Sequence, residues 1–324
     1  MRRAARALAV LAAALGCTAV RAAAIRTDDC LPGRRADTQR EAACYSLTQG
    51  TLKRTLRVYV PAGHDGPLPL VLLLHGGGGN GGGMEWLTRH GFNRIADRDG
   101  ILVAYPDGID KGWNDGRSAN RSGSDATVDD LGFLRALPQA IAALHPVDPA
   151  RVYVSGISNG GMMAYRLACD AAPVFAAAAA VAANLSVELA PRCQPARAVP
   201  MLIMDGTDDP IMPWKGGTIR VLWMARGTVL SAEDTAARWL SLDHCGPFES
   251  LPQLSASPPD GTSAVPHAAR CGGDGEVRLY EIRGGGHSWP QGEPYLGPLL
   301  IGHVSQALDA NETIWAFFAR HPLR

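Results

Sequence analysis

A serine lies between two glycines in the run Gly-Ile-Ser-Asn-Gly at positions 156–160. The apolar stretch 152–155 precedes this run, and a helix-compatible stretch, 160–169, follows it. A G-x-S-x-G run between a strand and a helix holds serine on a tight, strained turn, with its hydroxyl near a helix N-terminus. This context predicts that Ser158 is a nucleophile. The alternative is a simple Ser/Gly turn.

A serine hydroxyl needs a base to remove its proton and a carboxylate to orient that base. After a nucleophile of this kind the acid comes next along the chain and the histidine last. We predict His287 as the base, because it follows an apolar stretch and lies in the loop Gly-Gly-Gly-His-Ser-Trp-Pro at 284–290. Three aspartates, Asp205, Asp208 and Asp209, follow the apolar stretch 201–204. Asp209 precedes a proline that favours extended backbone and is best placed to reach His287, but spacing alone leaves Asp208 open.

A second glycine-rich segment supplies backbone amides. The apolar stretch 68–74 runs into His75 and the glycines 76–79. Acyl transfer creates an oxyanion, which the amide after the nucleophile and one amide of an early loop can bind. The predicted donors are Asn159 and either Gly76 or Gly77, with His75 shaping the loop. A phosphate-binding loop is the weaker alternative, since no Lys-Ser/Thr pair ends the run.

Apolar stretches alternate with helical patterns, which indicates an α/β fold with a mostly parallel central sheet and helices on both faces. The predicted strands cover 56–60, 68–74, 101–105, 152–155, 176–182, 201–204 and 277–282. The predicted helices cover 85–97, 128–144, 160–169, 232–242 and 305–320, with Pro138 expected to kink or split the second. The Pro-, Ser- and Ala-rich stretch 247–275 predicts an irregular loop.

The composition is that of a globular protein with balanced charge. The 324 residues are 46% hydrophobic, and 31 basic side chains balance 31 acidic ones. A nucleic-acid partner is therefore not expected. No Cys or His spacing suggests a metal, and we expect neither a metal nor a cofactor.

The N-terminus has the parts of a secretory signal. Arg2, Arg3 and Arg6 precede a short apolar stretch, and three alanines end at Ala24. We predict a signal peptide over 1–24, a single catalytic domain over 25–324, and secreted or periplasmic localisation. Lipid attachment at Cys17 is the poorer fit, and no stretch is long enough to span a membrane.

Six cysteines would follow the cleaved signal, an even number in an oxidising compartment. Six cysteines allow 15 pairings, and proximity along the chain favours three of them. The predicted pairs are Cys30 with Cys44, Cys169 with Cys193, and Cys245 with Cys271.

The motifs together resemble the secreted family of polyhydroxybutyrate depolymerases and feruloyl esterases, over most of the chain from Leu56 to the last helix. Besides the serine run, the resemblance rests on His-Gly-Gly at 75–77, Tyr-Pro-Asp-Gly at 105–108, Gly-Thr-Asp-Asp-Pro at 206–210 and Gly-His-Ser-Trp-Pro at 286–290. It implies an α/β-hydrolase fold and ester hydrolysis through an acyl-enzyme. It also implies that Asp209 is the catalytic aspartate.

Several expectations concern the substrate. Trp113, Trp214 and Trp289 lie in loops and are expected to line an apolar acyl pocket. The substrate is expected to be a small ester, a polyester or a plant cell-wall ester. Because no appended polymer-binding domain is recognisable, soluble esters or oligomers are favoured over tight adsorption to insoluble polymer. A catalytically inactive binding module is the alternative of another class, and the oligomeric state is left open.

Overall fold

A computed structural model of the protein describes residues 25–29, 42–118, 127–252, 254, 258–273 and 275–324. The predicted signal peptide, with Cys17, and also Cys30 lie outside these described residues. Within the described part of the chain, no helix is long and apolar enough to cross a membrane.

The strands of the described residues belong to two sheets. They are β1 (Arg26–Thr27), β2 (Ala43–Gln49), β3 (Leu52–Tyr59), β4 (Leu68–Leu74), β5 (Leu102–Pro106), β6 (Val147–Ile157), β7 (Ala177–Val181), β8 (Met201–Gly206), β9 (Gly217–Val221), β10 (Met224–Val229), β11 (Glu249–Ser250), β12 (Ser263–Arg270) and β13 (Glu276–Arg283).

Eleven of these strands form the central sheet, in the order β1-β2-β3-β5-β4-β6-β7-β8-β13-β12-β11. The six strands from β5 to β13 in this order pair in parallel, and the strands at both edges pair antiparallel. All seven predicted strands are present, and the predicted mostly parallel sheet is confirmed. The hairpin of β9 and β10 forms a separate two-stranded sheet.

The helices cover both faces of the central sheet. They are α1 (Gly81–Leu87), α2 (Gly91–Asp99), α3 (Asp130–Ala142), α4 (Asn159–Asp170), α5 (Ala232–Leu242), α6 (Pro298–Ile301) and α7 (Ala310–Phe318). Alternate residues of β4 face opposite sides, so Leu70 and Leu72 pack with α3 and α4, whereas Val71 and Leu73 pack with α2 and α7. Both faces of β4 are fully buried.

Three details differ from the sequence predictions. The helix expected over 85–97 is two helices, because Arg89 and His90 adopt left-handed backbone, with φ of 54° and 52°, between the end of α1 at Leu87 and the start of α2. Pro138 lies inside α3 without splitting it, since the buried face of this helix packs on the sheet. The expected irregular loop 247–275 contains β11 and β12. All eight residues of β12 pair with β13, and this pairing overrides a composition that disfavours strands.

Two predicted disulfides are confirmed. Cys169 is bonded to Cys193, which links the end of α4 to the segment before β8. Cys245 is bonded to Cys271, so the loop that carries β11 and β12 is closed. Cys44 is also disulfide-bonded, while its predicted partner Cys30 lies outside the described residues.

Candidate active site

Ser158 occupies the sharp turn between β6 and α4. Its backbone has φ of 56° and ψ of −122°, a region that few non-glycine residues adopt. The Ser158 amide donates to the carbonyl of Val181 on the neighbouring strand β7, which fixes the turn to the sheet. A β-carbon on Gly156 would stand 2.5 Å from the carbonyl carbon of Gly160, so the turn closes only with glycine at this position. The sequence run thus forms the strained turn that it predicts.

Three side chains from three different loops form one hydrogen-bonded chain. The Ser158 Oγ lies 2.8 Å from Nε2 of His287, and Nδ1 of His287 lies 2.7 Å from Oδ2 of Asp209. A carboxylate beside Nδ1 requires the proton on that nitrogen, so Nε2 is left to accept from the serine hydroxyl. The imidazole of His287 is therefore oriented to remove the Ser158 proton.

Of the three candidate aspartates, Asp205, Asp208 and Asp209, only Asp209 is hydrogen-bonded to His287. Its second oxygen accepts hydrogen bonds from the amides of Ile211 and Met212, both at 2.7 Å. Asp208 is exposed and accepts instead from the Thr207 hydroxyl. Asp205 is buried and accepts from the Ala183 amide. The geometry thus separates Asp209 from Asp208, which spacing alone could not do.

The glycine-rich loop lies directly beside the serine. A β-carbon on Gly76 would stand 3.5 Å from that of Ser158. The amides of Gly78 and Gly79 already donate to backbone carbonyls, which leaves Gly76 and Gly77 as candidates for an oxyanion donor on this loop. On the other side, Asn159 is the first residue of α4, where the amide has no intrahelical acceptor.

His75 is buried in the base of this loop. Its Nε2 accepts from the Gly108 amide at 2.9 Å, so its Nδ1 carries the proton and donates to the Gly76 carbonyl at 2.7 Å. Burial lowers the pKa of His75, against the opposing effect of the Gly76 hydrogen bond, and favours the neutral ring. These contacts are made to the loop and not to Ser158, which agrees with the loop-shaping role predicted for His75.

A buried polar network holds the side chain of Asn159. The side-chain nitrogen Nδ2 of Asn159 donates to Oδ2 of Asp115 at 2.6 Å and to the Trp113 carbonyl at 3.0 Å. Its Oδ1 accepts from the backbone amide of Trp113. Arg117 in turn donates to both oxygens of Asp115 through Nε and Nη2. Nη1 of Arg117 donates to the carbonyl of Arg226 on β10. The oxyanion side of the site is thus tied to the β9–β10 hairpin.

A cavity of about 700 Å³ opens onto Ser158 and His287. Its wall is largely apolar, with charged groups only from residues 110, 111, 117 and 226 besides the histidines. The apolar and aromatic lining comes from Met84, Trp86, Leu87, Ile157, Met162, Ile211, Met212, Ile219, Val221, Tyr295 and Leu296.

None of the three tryptophans expected in this pocket lines the cavity. Trp113 is fully buried and donates from its ring to the His75 carbonyl. Trp289 is fully buried against Asn311, to which its ring also donates. Trp214 packs half-buried against the core cluster that contains α5. Their apolar area packs instead against segments that surround the site residues.

The large aromatic side chains of the wall are Trp86 of α1 and Tyr295, neither of which was predicted from the sequence. Tyr295 also donates to the carbonyl of His287 at 2.9 Å. Trp86 had one usable signal, its place in the first helix after the glycine loop. The β9–β10 hairpin had none, because its place in the cavity wall depends on contacts with segments that are distant in sequence, such as the bond between Arg226 and Arg117. Among the described residues, no group of His, Cys, Asp or Glu is arranged to hold a metal ion.

Comparisons with known proteins place the chain in a family. The family model described as esterase PHB depolymerase matches residues 55–192. A putative esterase, NocK, from Nocardia uniformis subsp. tsuyamanensis is 34% identical over 260 residues, covering 76% of this chain and 72% of that protein. This chain belongs to the esterase PHB depolymerase family.

Other proteins that are similar to this family member are also ester hydrolases. Feruloyl esterase B from Piromyces equi is 30% identical over 248 residues, which are 74% of this chain but only 44% of that protein. The solved structure of an acetyl xylan esterase from Aspergillus awamori superposes with a TM-score of 0.54, over 82% of this chain and 94% of that one. At 16% identity this likeness concerns the fold, and it confirms the predicted α/β-hydrolase architecture.

Proposed function

We propose that this member of the family is an exported serine esterase with Ser158 as nucleophile, His287 as general base and Asp209 as the residue that orients it. The observation that carries the proposal is the hydrogen-bonded chain from Ser158 through His287 to Asp209, with distances of 2.8 and 2.7 Å. Ser158 and His287 of this hydrogen-bonded set line an apolar cavity that is large enough for an ester.

The proposed reaction has two halves. Ser158 Oγ attacks the ester carbonyl carbon while Nε2 of His287 takes the hydroxyl proton, and the carbonyl oxygen becomes an oxyanion. The amides of Asn159 and of Gly76 or Gly77 donate to this oxyanion. The carbon–oxygen bond to the alcohol then breaks, and His287 gives the proton to the leaving oxygen. Water repeats the sequence on the acyl-enzyme and releases the acid.

The lining of the cavity indicates the polarity of the acyl group. Its wall offers sulfur, aliphatic and aromatic groups, with Met84, Met162 and Trp86 among them, so we infer that the acyl group is apolar. A feruloyl group and a hydroxyalkanoate oligomer both satisfy this lining. Parallel assays on methyl ferulate and on hydroxybutyrate oligomers separate the two substrate classes.

We also infer that residues 25–324 act as a single exported catalytic domain. The disulfides Cys169–Cys193 and Cys245–Cys271 support export, because such bonds persist in oxidising compartments.

A fluorophosphonate probe tests the nucleophile directly. The mature protein should be labelled and should hydrolyse p-nitrophenyl esters, and Ser158→Ala should abolish both while leaving the fold intact. Ser288→Ala is the matched control, because Ser288 is also buried at the site but donates to the His303 carbonyl. A folded, unlabelled and inactive wild type would instead favour the binding-module alternative.

A further inference from the structure

The three residues before His287 carry no side chain that could fix their loop. Residues 284–286 are glycines, and Gly284 adopts left-handed backbone with φ of 70°. A glycine run has more conformational freedom than other residues would allow. The place of the His287 imidazole therefore depends on hydrogen bonds that reach its backbone from other segments.

Both backbone groups of His287 are bonded to one segment, residues 293–301, which we call the wall segment. The His287 amide donates to the Ile301 carbonyl, and the His287 carbonyl accepts from the Tyr295 hydroxyl at 2.9 Å. His287 is only 2% exposed, and a buried carbonyl that loses its donor costs free energy. The wall segment thus holds the residue of the proposed general base on both sides of its α-carbon.

The wall segment is also part of the substrate cavity. Tyr295 and Leu296 line that cavity. At the start of the segment, the Glu293 amide donates to the Leu87 carbonyl at the end of α1, which places the segment beside another part of the cavity wall. Tyr295 is therefore both a wall residue and a hydrogen-bond donor to the residue of the general base.

The Tyr295 hydroxyl keeps the proton that it donates. Burial, and after it the charge of Asp209, raise the pKa of Tyr295 above its ordinary value. The bond to the His287 carbonyl is consequently present at neutral and mildly alkaline pH, where a neutral imidazole acts as a base.

We propose that Tyr295 is a positioning residue for the general base, and that through the His287 carbonyl it sets where Nε2 of His287 stands relative to Ser158. The inference rests on the proposed esterase function and deepens it. Asp209 orients the imidazole at Nδ1, whereas Tyr295 fixes the backbone from which the imidazole extends. A misplacement of about 1 Å between reacting groups can cost about 100-fold in rate.

A positioning role and a purely wall-forming role of Tyr295 differ in their kinetics. A wall residue contributes to substrate binding, so its loss changes KM and depends on the acyl group. A residue that positions the base affects proton transfer, so its loss lowers kcat for every ester, whatever the acyl group.

The test is Tyr295→Phe, which keeps the ring and removes only the hydroxyl. We would measure kcat and KM on p-nitrophenyl acetate, butyrate and octanoate, and follow fluorophosphonate labelling in time, since attack on the probe uses the same base. Tyr59→Phe is the matched control, because the Tyr59 hydroxyl also donates a hydrogen bond, to Asp97. Tyr59 pairs near the start of β5, whereas Ser158 follows the end of β6.

We expect kcat of Tyr295→Phe to fall about tenfold or more on all three esters, with KM within about twofold of wild type. The labelling rate constant should fall by a similar factor, while the fraction labelled at the end point stays that of wild type. Tyr59→Phe should match wild type in each kinetic measurement.

A Tyr295→Phe variant with the kcat of wild type, or one that changes only KM, overturns the proposal. So does a lower labelled fraction with an unchanged labelling rate constant, because it would reflect unfolded protein and not a displaced base. A wild type that is neither labelled nor active on the three esters would refute the esterase function, which is a separate result.

Discussion

The carbonyl oxygen of Leu74 lies 2.3 Å from the position that a β-carbon on Gly160 would occupy. The end of β4 and the start of α4 are thus in backbone contact, and the carbonyl of His75 lies 2.6 Å from the same position. This contact sets the distance between the glycine loop and the nucleophile turn. The oxyanion donors and Ser158 are consequently positioned by backbone and not by flexible side chains.

Gly160→Ala should therefore be strongly destabilising. The added methyl meets the backbone carbonyl oxygens of Leu74, the last residue of β4, and of His75 directly after it, so we expect a loss of about 3 kcal/mol or more in the free energy of unfolding. Chemical denaturation measures it. Gly272→Ala is the control, since nothing lies within 4 Å of its β-carbon position. Equal stabilities of the two variants would contradict the close approach.

Asp209→Asn should keep the fold and lose activity. An amide in place of the carboxylate can still accept from the Ile211 and Met212 amides, but it no longer selects the proton on Nδ1 of His287. We expect kcat to fall about 10³- to 10⁴-fold. Asp208→Asn, in the adjacent exposed residue, should stay near wild type. A larger loss in Asp208→Asn than in Asp209→Asn would reverse the assignment of the acid.

Arg117→Gln should reduce both stability and turnover. It leaves the buried carboxylate of Asp115 without its cation, which costs about 3 kcal/mol or more, and it loosens the anchor of Asn159. We expect kcat to fall with little change in KM for a short soluble ester. Adding Asp115→Asn to Arg117→Gln should restore part of the stability. Arg98→Gln, in an exposed ion pair, is the control and should change stability by less than about 1 kcal/mol.

Asp243 should make stability depend on pH. Burial raises the pKa of Asp243 to about 7, although the Val199 amide and the charge of Arg197 oppose the shift. The folded protein thus keeps a proton that the unfolded chain releases between about pH 4 and pH 7. Stability contributed by this group is present at low pH and falls as pH rises through this window.

Asp243→Asn should remove that fall. The variant and wild type should have similar stability at pH 4, and at pH 8 the variant should be more stable, by up to a few kcal/mol. Urea denaturation at the two pH values measures the difference. Parallel stability curves for the two proteins across this range would refute the role of Asp243.

The central strands and the site motifs could be predicted because each is encoded locally. The apolar run of β4 and the glycines around Ser158 carry their structure in adjacent residues. The bond between Cys169 and Cys193 could be predicted because these cysteines are only 24 residues apart.

The parts that could not be predicted depend on contacts that the local residue pattern does not show. Strand β12 exists because β13 offers it a partner, and its Pro266 and alanines gave no strand pattern. Trp113 was expected to line the pocket because its loop lies near the proposed site, yet its ring is buried against His75. Asp115 and Arg117 form the network of Asn159 across 44 and 42 positions, and no spacing rule connects them.

The β9–β10 hairpin pairs with no strand of the central sheet, yet it supplies Ile219, Val221 and Arg226 to the cavity wall. The side chains that perform the proposed chemistry are held by the sheet and by the loops at its carboxyl edge. Part of the cavity wall is therefore separate from the sheet that positions Ser158, and it is joined to the Asn159 network through the Arg226 carbonyl, a backbone group that substitutions at this position keep. Relatives that diverge in hairpin length or sequence can acquire new esters as substrates without relocating the nucleophile, and libraries for altered specificity are best confined to residues 217–229.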